Sequence, residues 1–383
     1  MDLTPIPGSR IVEVARLAFA TPDVLFLCFG ESDQPSPAAA RQAAIAAIED
    51  GDTRYPDVRG QPPLRDALAA YLTGLYRQPV TEDRIQVTAS GMAAISIALA
   101  GVVRAGHRVL IHSPIWPNIG NAALLRGASV ETIDLDPLPE GGFRLDLDRL
   151  DRAMAGVRAF VVNSPNNPTG WTATEAELRA IRDIAARHGA WIISDEVYAR
   201  LIYDDRPAAP SMLDVAEPDD RVIVCNSFSK TWVMTGWRLG WLVVPAGTGA
   251  AFADITEAVH SGVAPFVQRA GIAAVADTDA VSQFRAHCAA GRALVGEALG
   301  GLNGVRYRTP DGAFYAFLGV DGMHDSLDFA KRLVTRHGIA LAPGVAFGDA
   351  GEGSLRVCFA QSPELMQNAM QRLRDGLRAE LGA

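Results

Sequence analysis

Short β-rich runs recur along the chain with helical stretches between them, and that alternation constrains the fold more than any other feature. The runs are Ile85-Gln86-Val87-Thr88, Arg108-Val109-Leu110-Ile111, Ala159-Phe160-Val161-Val162, Trp191-Ile192-Ile193-Ser194, Val222-Ile223-Val224-Cys225 and Trp241-Leu242-Val243-Val244. Near-continuous apolar runs of this length read as strands covered on both faces, as in a mostly parallel sheet. Amphipathic helices lie between them. One spans 175–188, entered through Thr172 or Thr174 as a cap and stopped by Gly189. The fold class is therefore α/β, a mostly parallel central sheet with helices on both faces. In such sheets ligands sit beyond the carboxyl ends of the strands, so the residues after each run carry the most information.

With 383 residues, 49% of them hydrophobic, the chain exceeds one ordinary domain. The first 45 residues are Pro-rich and weakly patterned, which predicts an N-terminal arm (1–45) joining a small domain. Residues 46–280 hold the β-rich runs and form the large domain. Residues 250–300 are Ala-rich and helical; a strand at 313–318, a helix at 326–337 and a strand at 354–359 follow, which predicts a smaller α+β domain over 281–383. A cleft between the two is the expected site.

A net charge of −9 and scattered Arg residues leave no electrostatic footprint for nucleic acid, which favours a small-molecule partner. The opening Met1-Asp2 lacks a basic and then apolar leader, and no apolar run is long enough to span a bilayer, so a cytoplasmic protein is expected. Cys28, Cys225, Cys288 and Cys358 show no metal-type or redox-type spacing and read as buried thiols.

Of 35 basic residues only Lys230 and Lys331 are lysine. Arg supplies charge but keeps its proton, whereas a Lys amine can lose one and attack a carbonyl. Lys331 stands in Phe329-Ala330-Lys331-Arg332-Leu333, an ordinary solvated helix face. Lys230 follows a strand, in Ser227-Phe228-Ser229-Lys230-Thr231, with Gly236-Trp237-Arg238-Leu239-Gly240 close behind. That loop sets hydroxyls and a guanidinium, the groups that seat a phosphate, beside an amine. After Ile193 stand Asp195-Glu196-Val197-Tyr198; Asp195 can keep a ring nitrogen protonated or simply cap the next helix. Asn163-Ser164-Pro165-Asn166-Asn167-Pro168-Thr169-Gly170 is by itself a turn cluster. Thr88-Ala89-Ser90-Gly91-Met92-Ala93 leads into an apolar helix whose first N–H groups could meet a phosphate.

Together these segments resemble the class I/II aminotransferases, the aspartate-aminotransferase-like enzymes of pyridoxal 5'-phosphate (PLP) fold type I, through nearly the whole chain. The resemblance rests on Ser227 to Lys230 with Arg238 eight residues on, Asn166 to Gly170, and Asp195 to Tyr198. It implies an aminotransferase that passes an amino group from an amino acid to a 2-oxo acid by a ping-pong cycle. It implies Lys230 as the Schiff-base lysine and proton shuttle, Asp195 against the pyridine nitrogen, and Tyr198 and Asn167 on the ring 3-oxygen. Ser90, Gly91, Ser227, Ser229 and Arg238 become the phosphate cup, with Met92 also against the cofactor. Trp116 resembles the aromatic that stacks on the ring, against its alternative as a core residue. Tyr55 resembles the tyrosine that reaches a neighbouring subunit's cofactor, which implies a homodimer with shared sites. Arg356 matches the arginine that grips the substrate α-carboxylate, and Gly30 the arm glycine over the substrate, although Ser32 replaces a more usual Pro.

A PLP-dependent carbon–sulfur β-lyase on the same scaffold is the main alternative, since a fold does not fix a reaction. A regulator would need a DNA-binding module for which the chain has no length to spare. In many acidic-substrate members the turn before the apolar helix reads Gly-Gly-Lys-Gln, whereas here it is Ser90-Gly91-Met92-Ala93. Unless Arg16 or a partner subunit's Arg supplies the missing cation, the donor is expected to carry a neutral or hydrophobic side chain.

Overall fold

The computed structural model describes residues 6–139 and 141–382; Met1 and Asp2 lie outside them. Seven strands form the central sheet in the order Ile85–Thr88, Gly240–Val243, Val222–Ser227, Trp191–Asp195, Ala159–Asn163, Arg108–Ser113 and Ser129–Asp134. Gly240–Val243 is antiparallel to both neighbours, and the other pairs are parallel. Successive side chains of a strand point to opposite faces. Leu110, Phe160, Val162, Ile192 and Trp241 accordingly enter one core with Leu64, Leu68, Leu178 and Ile181. Val109, Val161, Ile193, Ile223 and Leu242 enter another with Ile95, Leu99 and Phe252. Helices thus cover both faces, as the apolar runs predict.

Six of the seven strands lie at or within two residues of the runs read from sequence. The seventh, Ser129–Asp134, was not among them. It is the sheet's edge, where only Ile133 is buried, so it has no apolar run to announce it. The helix Glu175–His188 starts from Thr174 rather than Thr172: Thr174 and Glu177 form a reciprocal capping box, and Gly189 closes it in the left-handed conformation.

A second, four-stranded antiparallel sheet runs Val305–Arg306, Tyr315–Val320, Ser354–Cys358, Ala342–Pro343. Its long strand begins at Tyr315, two residues after the expected start. Ala313 is left-handed (φ 59°), and its carbonyl accepts from the Tyr203 hydroxyl while its N–H donates to Leu201. The helix Ser326–His337 stands where expected.

The opening segment is more regular than its weak pattern suggests. Arg10–Phe19 is a strongly amphipathic helix capped by Ser9; it buries Ile11, Val14, Ala15 and Ala18, the i, i+3, i+4, i+7 spacing of one helix face, so the reading of 1–45 as weakly patterned does not hold for this stretch. Leu25–Phe26 pairs with Ile339–Ala340, and residues from Ile11 to Cys28 share a core with residues from Phe284 to Leu377. The helix Ala38–Glu49 instead places Ala40 and Ala44 in the sheet's core. All four cysteines are free and buried. Among the described residues no helix is long and apolar enough to cross a membrane.

Candidate active site

A cleft of about 440 Å³ opens beyond the carboxyl ends of the central strands. Asn163, Asp195 and Ser227 are each the last residue of a parallel strand, and all three line it. Gly240 lets the Ser90-Gly91 turn pack against the strand end, because a Cβ there would stand 2.7 Å from the Ser90 carbonyl carbon and 2.8 Å from both the Gly91 nitrogen and the Asn226 oxygen.

Lys230 points into this cleft, and its Nζ donates to the Gly30 carbonyl across 2.6 Å. Burial lowers the amine to about 8, with Cys358, Glu31 and Asp195 pulling against the nearby Arg356 charge. The neutral fraction, about a tenth at pH 7 and about half at pH 8, is far above that of an ordinary lysine and makes it a competent nucleophile. Lys331 has a different setting: its Nζ pairs with Glu13 on the first helix, so it is tied to a carboxylate rather than freely solvated.

Asp195 is raised by burial to about 7, opposed by the Val197 N–H and by Lys230. Val197 N donates to Oδ1 at 3.3 Å. A buried carboxylate with one long hydrogen bond is under-satisfied and suited to a cationic N–H from a ligand. Neighbouring Glu196 has the opposite provision. It is raised to about 7 by burial, yet accepts from Ser194 at 2.8 Å, Ser211 at 2.6 Å and the Met212 N–H at 3.0 Å.

Arg356 is 2% exposed. Its Nη1 donates to the Asn167 side-chain oxygen at 2.9 Å and its Nη2 to the Cys28 carbonyl at 2.5 Å, while Nε has no protein partner. The guanidinium lies over the rings of Tyr315 and Phe347, at 4.4 and 4.9 Å. Tyr198 is buried, which pushes its hydroxyl well up, and that hydroxyl meets the Tyr315 hydroxyl at 2.9 Å.

The structure brings Gly30, Gly91, Met92, Trp116, Asn167, Asp195, Tyr198, Ser227, Ser229, Lys230, Arg238 and Arg356 to this one cleft. Ser90 stands behind it, its hydroxyl accepting from Ala93 N as a helix cap. Tyr55 is outside it and 93% exposed. Arg16 is exposed and does not line it. Sequence reasoning passed over Tyr315, Phe29 and the pair Ile11 and Val12, which also line the cleft. Nothing local marks Ile11 and Val12, which come from a remote helix. Tyr315 has no local signal either; its place follows from a register that pairs it with Cys358 and Phe317 with Arg356, so all four share a face.

The family model for aminotransferase class I and II matches residues 22–373. The aspartate aminotransferase of Pyrococcus horikoshii is 32% identical over 380 residues, covering 98% of this chain and 96% of its own. Aromatic-amino-acid aminotransferase 2 of Thermococcus litoralis is also 32% identical, over 98% of this chain and 97% of its own. The crystal structure of the aspartate aminotransferase of Thermotoga maritima superposes with a TM-score of 0.89 at 31% identity, covering 97% of this chain and 98% of that one.

Proposed function

The chain belongs to the class I and II aminotransferases, and from that premise we propose that it is a PLP enzyme in which Lys230 carries the cofactor and moves the substrate proton. The observation that carries this reading is the convergence in one cleft of a buried amine, an under-bonded carboxylate and a buried guanidinium, at Lys230, Asp195 and Arg356. None of the relatives cited above is named a lyase, so the carbon–sulfur β-lyase alternative gains nothing from them.

The donor set fits the cofactor. Arg238, Ser227, Ser229 and the first turn of the helix Gly91–Val102, capped by Ser90, offer a cation, hydroxyls and N–H groups for a phosphate. Asp195 offers the counter-charge for a protonated ring nitrogen, Tyr198 and Asn167 offer hydrogen bonds to the 3-oxygen, and Trp116 and Met92 offer walls. When bound, PLP supplies an electron sink for charge that develops at the substrate Cα.

The protein's own groups do the rest. Arg356 binds the substrate α-carboxylate through its guanidinium edge, with Gly30 of the arm beside it in the cleft. Lys230, neutral for part of the time near pH 8, is the group placed to accept the substrate Cα proton and carry it as an ammonium. Asp195 stays ionised against the ring nitrogen because that partner's charge offsets the burial that otherwise raises it.

Met92, Ile95, Ile11 and Val12 add apolar lining to the cleft, which supports a preferred donor with a neutral or hydrophobic side chain. An arm (1–45), a large domain (46–280) and a small domain (281–383) are the functional division; the core shared by residues 11–28 and 284–377 supports the arm's joining the small domain, whereas its end lies in the helix Ala38–Glu49 that packs on the large domain. The active form is a cytoplasmic homodimer; the exposed Tyr55, Ile45, Ile48 and Val259 are the surface support for a partner subunit. The test is a half-reaction screen: PLP enzyme mixed with single amino acids, followed by the loss of the cofactor's visible absorbance as its amine form accumulates. Conversion with at least one neutral amino acid supports the reading, and ammonia release without an oxo-acid acceptor would overturn it.

A further inference from the structure

We propose that Tyr315 is a positioning residue that locks together the groups assigned above to the cofactor's 3-oxygen and to the substrate carboxylate. The inference rests on the PLP reading of this cleft. Its basis is geometric: Tyr315 is 1% exposed yet lines the cleft, its hydroxyl is 2.9 Å from that of Tyr198, and its ring is 4.4 Å from the Arg356 guanidinium. It also determines what stands at residue 30. A Cβ built on Gly30 would fall 2.2 Å from the Tyr315 hydroxyl oxygen, and the Gly30 carbonyl accepts from Lys230. One side chain therefore touches Tyr198, Arg356 and the backbone that receives the Lys230 amine.

The two halves of Tyr315 do different work. If the Tyr198 hydroxyl donates to a ligand oxygen, its own oxygen is left to accept, and the Tyr315 hydroxyl is the donor placed to serve it. Donation into Tyr198 polarises its O–H and makes it a stronger donor in turn. The aromatic ring instead holds the guanidinium plane, with Phe347 as a second aromatic contact at 4.9 Å. The antiparallel register explains how the strand delivers both halves: Tyr315 lies opposite Cys358 and diagonal to Arg356 on one face.

Tyr315→Phe keeps the ring and removes the hydroxyl, whereas Tyr315→Leu removes both. In the holoenzyme, Tyr315→Phe is expected to move the pH midpoint of the bound cofactor's visible absorbance upward by roughly 0.3–1 unit, because a weaker donor leaves the 3-oxygen more basic. It should leave the donor KM within about twofold, while Tyr315→Leu raises that KM a further threefold to tenfold or so. Tyr203→Phe is the control. It deletes another buried hydroxyl of the same region, bonded to Ala313 O and not lining the cleft, and should lower thermal stability without moving the midpoint. An unchanged midpoint in Tyr315→Phe, or an equal shift in Tyr203→Phe, overturns the positioning role. A wild-type protein that shows no cofactor absorbance overturns the PLP reading and this inference together.

Discussion

The amine of Lys230 donates to the carbonyl of Gly30 across 2.6 Å, although the two residues are 200 positions apart in sequence. The bond places the arm directly over the amine and orients a lone, buried, readily deprotonated nitrogen into the cleft. Lys230→Ala is expected to cut turnover by at least about 10³-fold, and Lys230→Arg to do no better, since a guanidinium keeps its proton. Lys331→Ala should leave turnover within about twofold, at a small stability cost from its half-exposed Glu13 pair. Borohydride reduction of the holoenzyme and peptide mapping check the assignment; a label on Lys331 would refute it.

Asp195 makes a claim on apoprotein stability as well as on activity. Its native carboxyl titrates near 7 against an ordinary 3.8, so between those values the folded apoprotein holds more protons than the unfolded chain. The stability this contributes is complete below about pH 4 and is lost as pH rises through 7. Asp195→Asn removes that dependence. In urea unfolding of the apoproteins, the variant should gain on wild type from pH 4 to 8 by an amount on the order of a few kcal/mol. Glu196 titrates with the same sign in both proteins and cancels in the difference. The holo variant should retain cofactor and lose most activity. A gap between the two apoproteins that does not change with pH would count against the buried, under-bonded carboxylate.

Arg356 is already oriented by Asn167 and Cys28 on one side and by two aromatic rings on the other. A lysine would preserve charge but neither the planar fork nor the stacking. Arg356→Lys is therefore expected to lower kcat/KM roughly 10- to 100-fold for every amino donor alike, mostly through KM. Steady-state kinetics with several donors measures this, and a loss confined to one donor would place Arg356 on the side chain rather than on the α-carboxylate.

Much of this site was legible because strand ends are legible. Asp195 and Ser227 terminate apolar runs that are hard to mistake, and Lys230 stands out where nearly every other cation is Arg. What stayed hidden depends on pairing across distance. Arg356 was one Arg among many until a family resemblance singled it out, and Tyr315 gains its meaning from register with Ser354–Cys358. Ile11 and Val12 reach the cleft because the helix Arg10–Phe19 packs its apolar face into the small-domain core and Leu25–Phe26 pairs with Ile339–Ala340 behind it. Ser129–Asp134 was missed for the converse reason: an edge strand facing solvent gains little from apolar residues.

The identity of the donor follows from the cleft's charges. Among the described residues its cations are Lys230, Arg238 and Arg356, and the proposed roles occupy all three, with proton transfer, phosphate and α-carboxylate. At the turn where many acidic-substrate members carry Lys, this chain has Met92 and Ala93, and half-buried Met92 lines the cleft together with Ile95, Trp116, Ile11 and Val12. A distal carboxylate entering there sheds water without gaining a partner, at a cost of roughly several kcal/mol. An alkyl, thioether or aromatic side chain gains about 25 cal/mol for each Å² it buries, and Met adapts its shape to whichever enters. With acceptor saturating, kcat/KM for methionine, leucine or phenylalanine is expected to exceed that for aspartate by at least about tenfold. Met92→Lys should narrow or invert that ratio by supplying the absent cation. Aspartate leading the wild-type series by tenfold would show that charge reaches the pocket from outside this chain's cleft and would reverse the assignment.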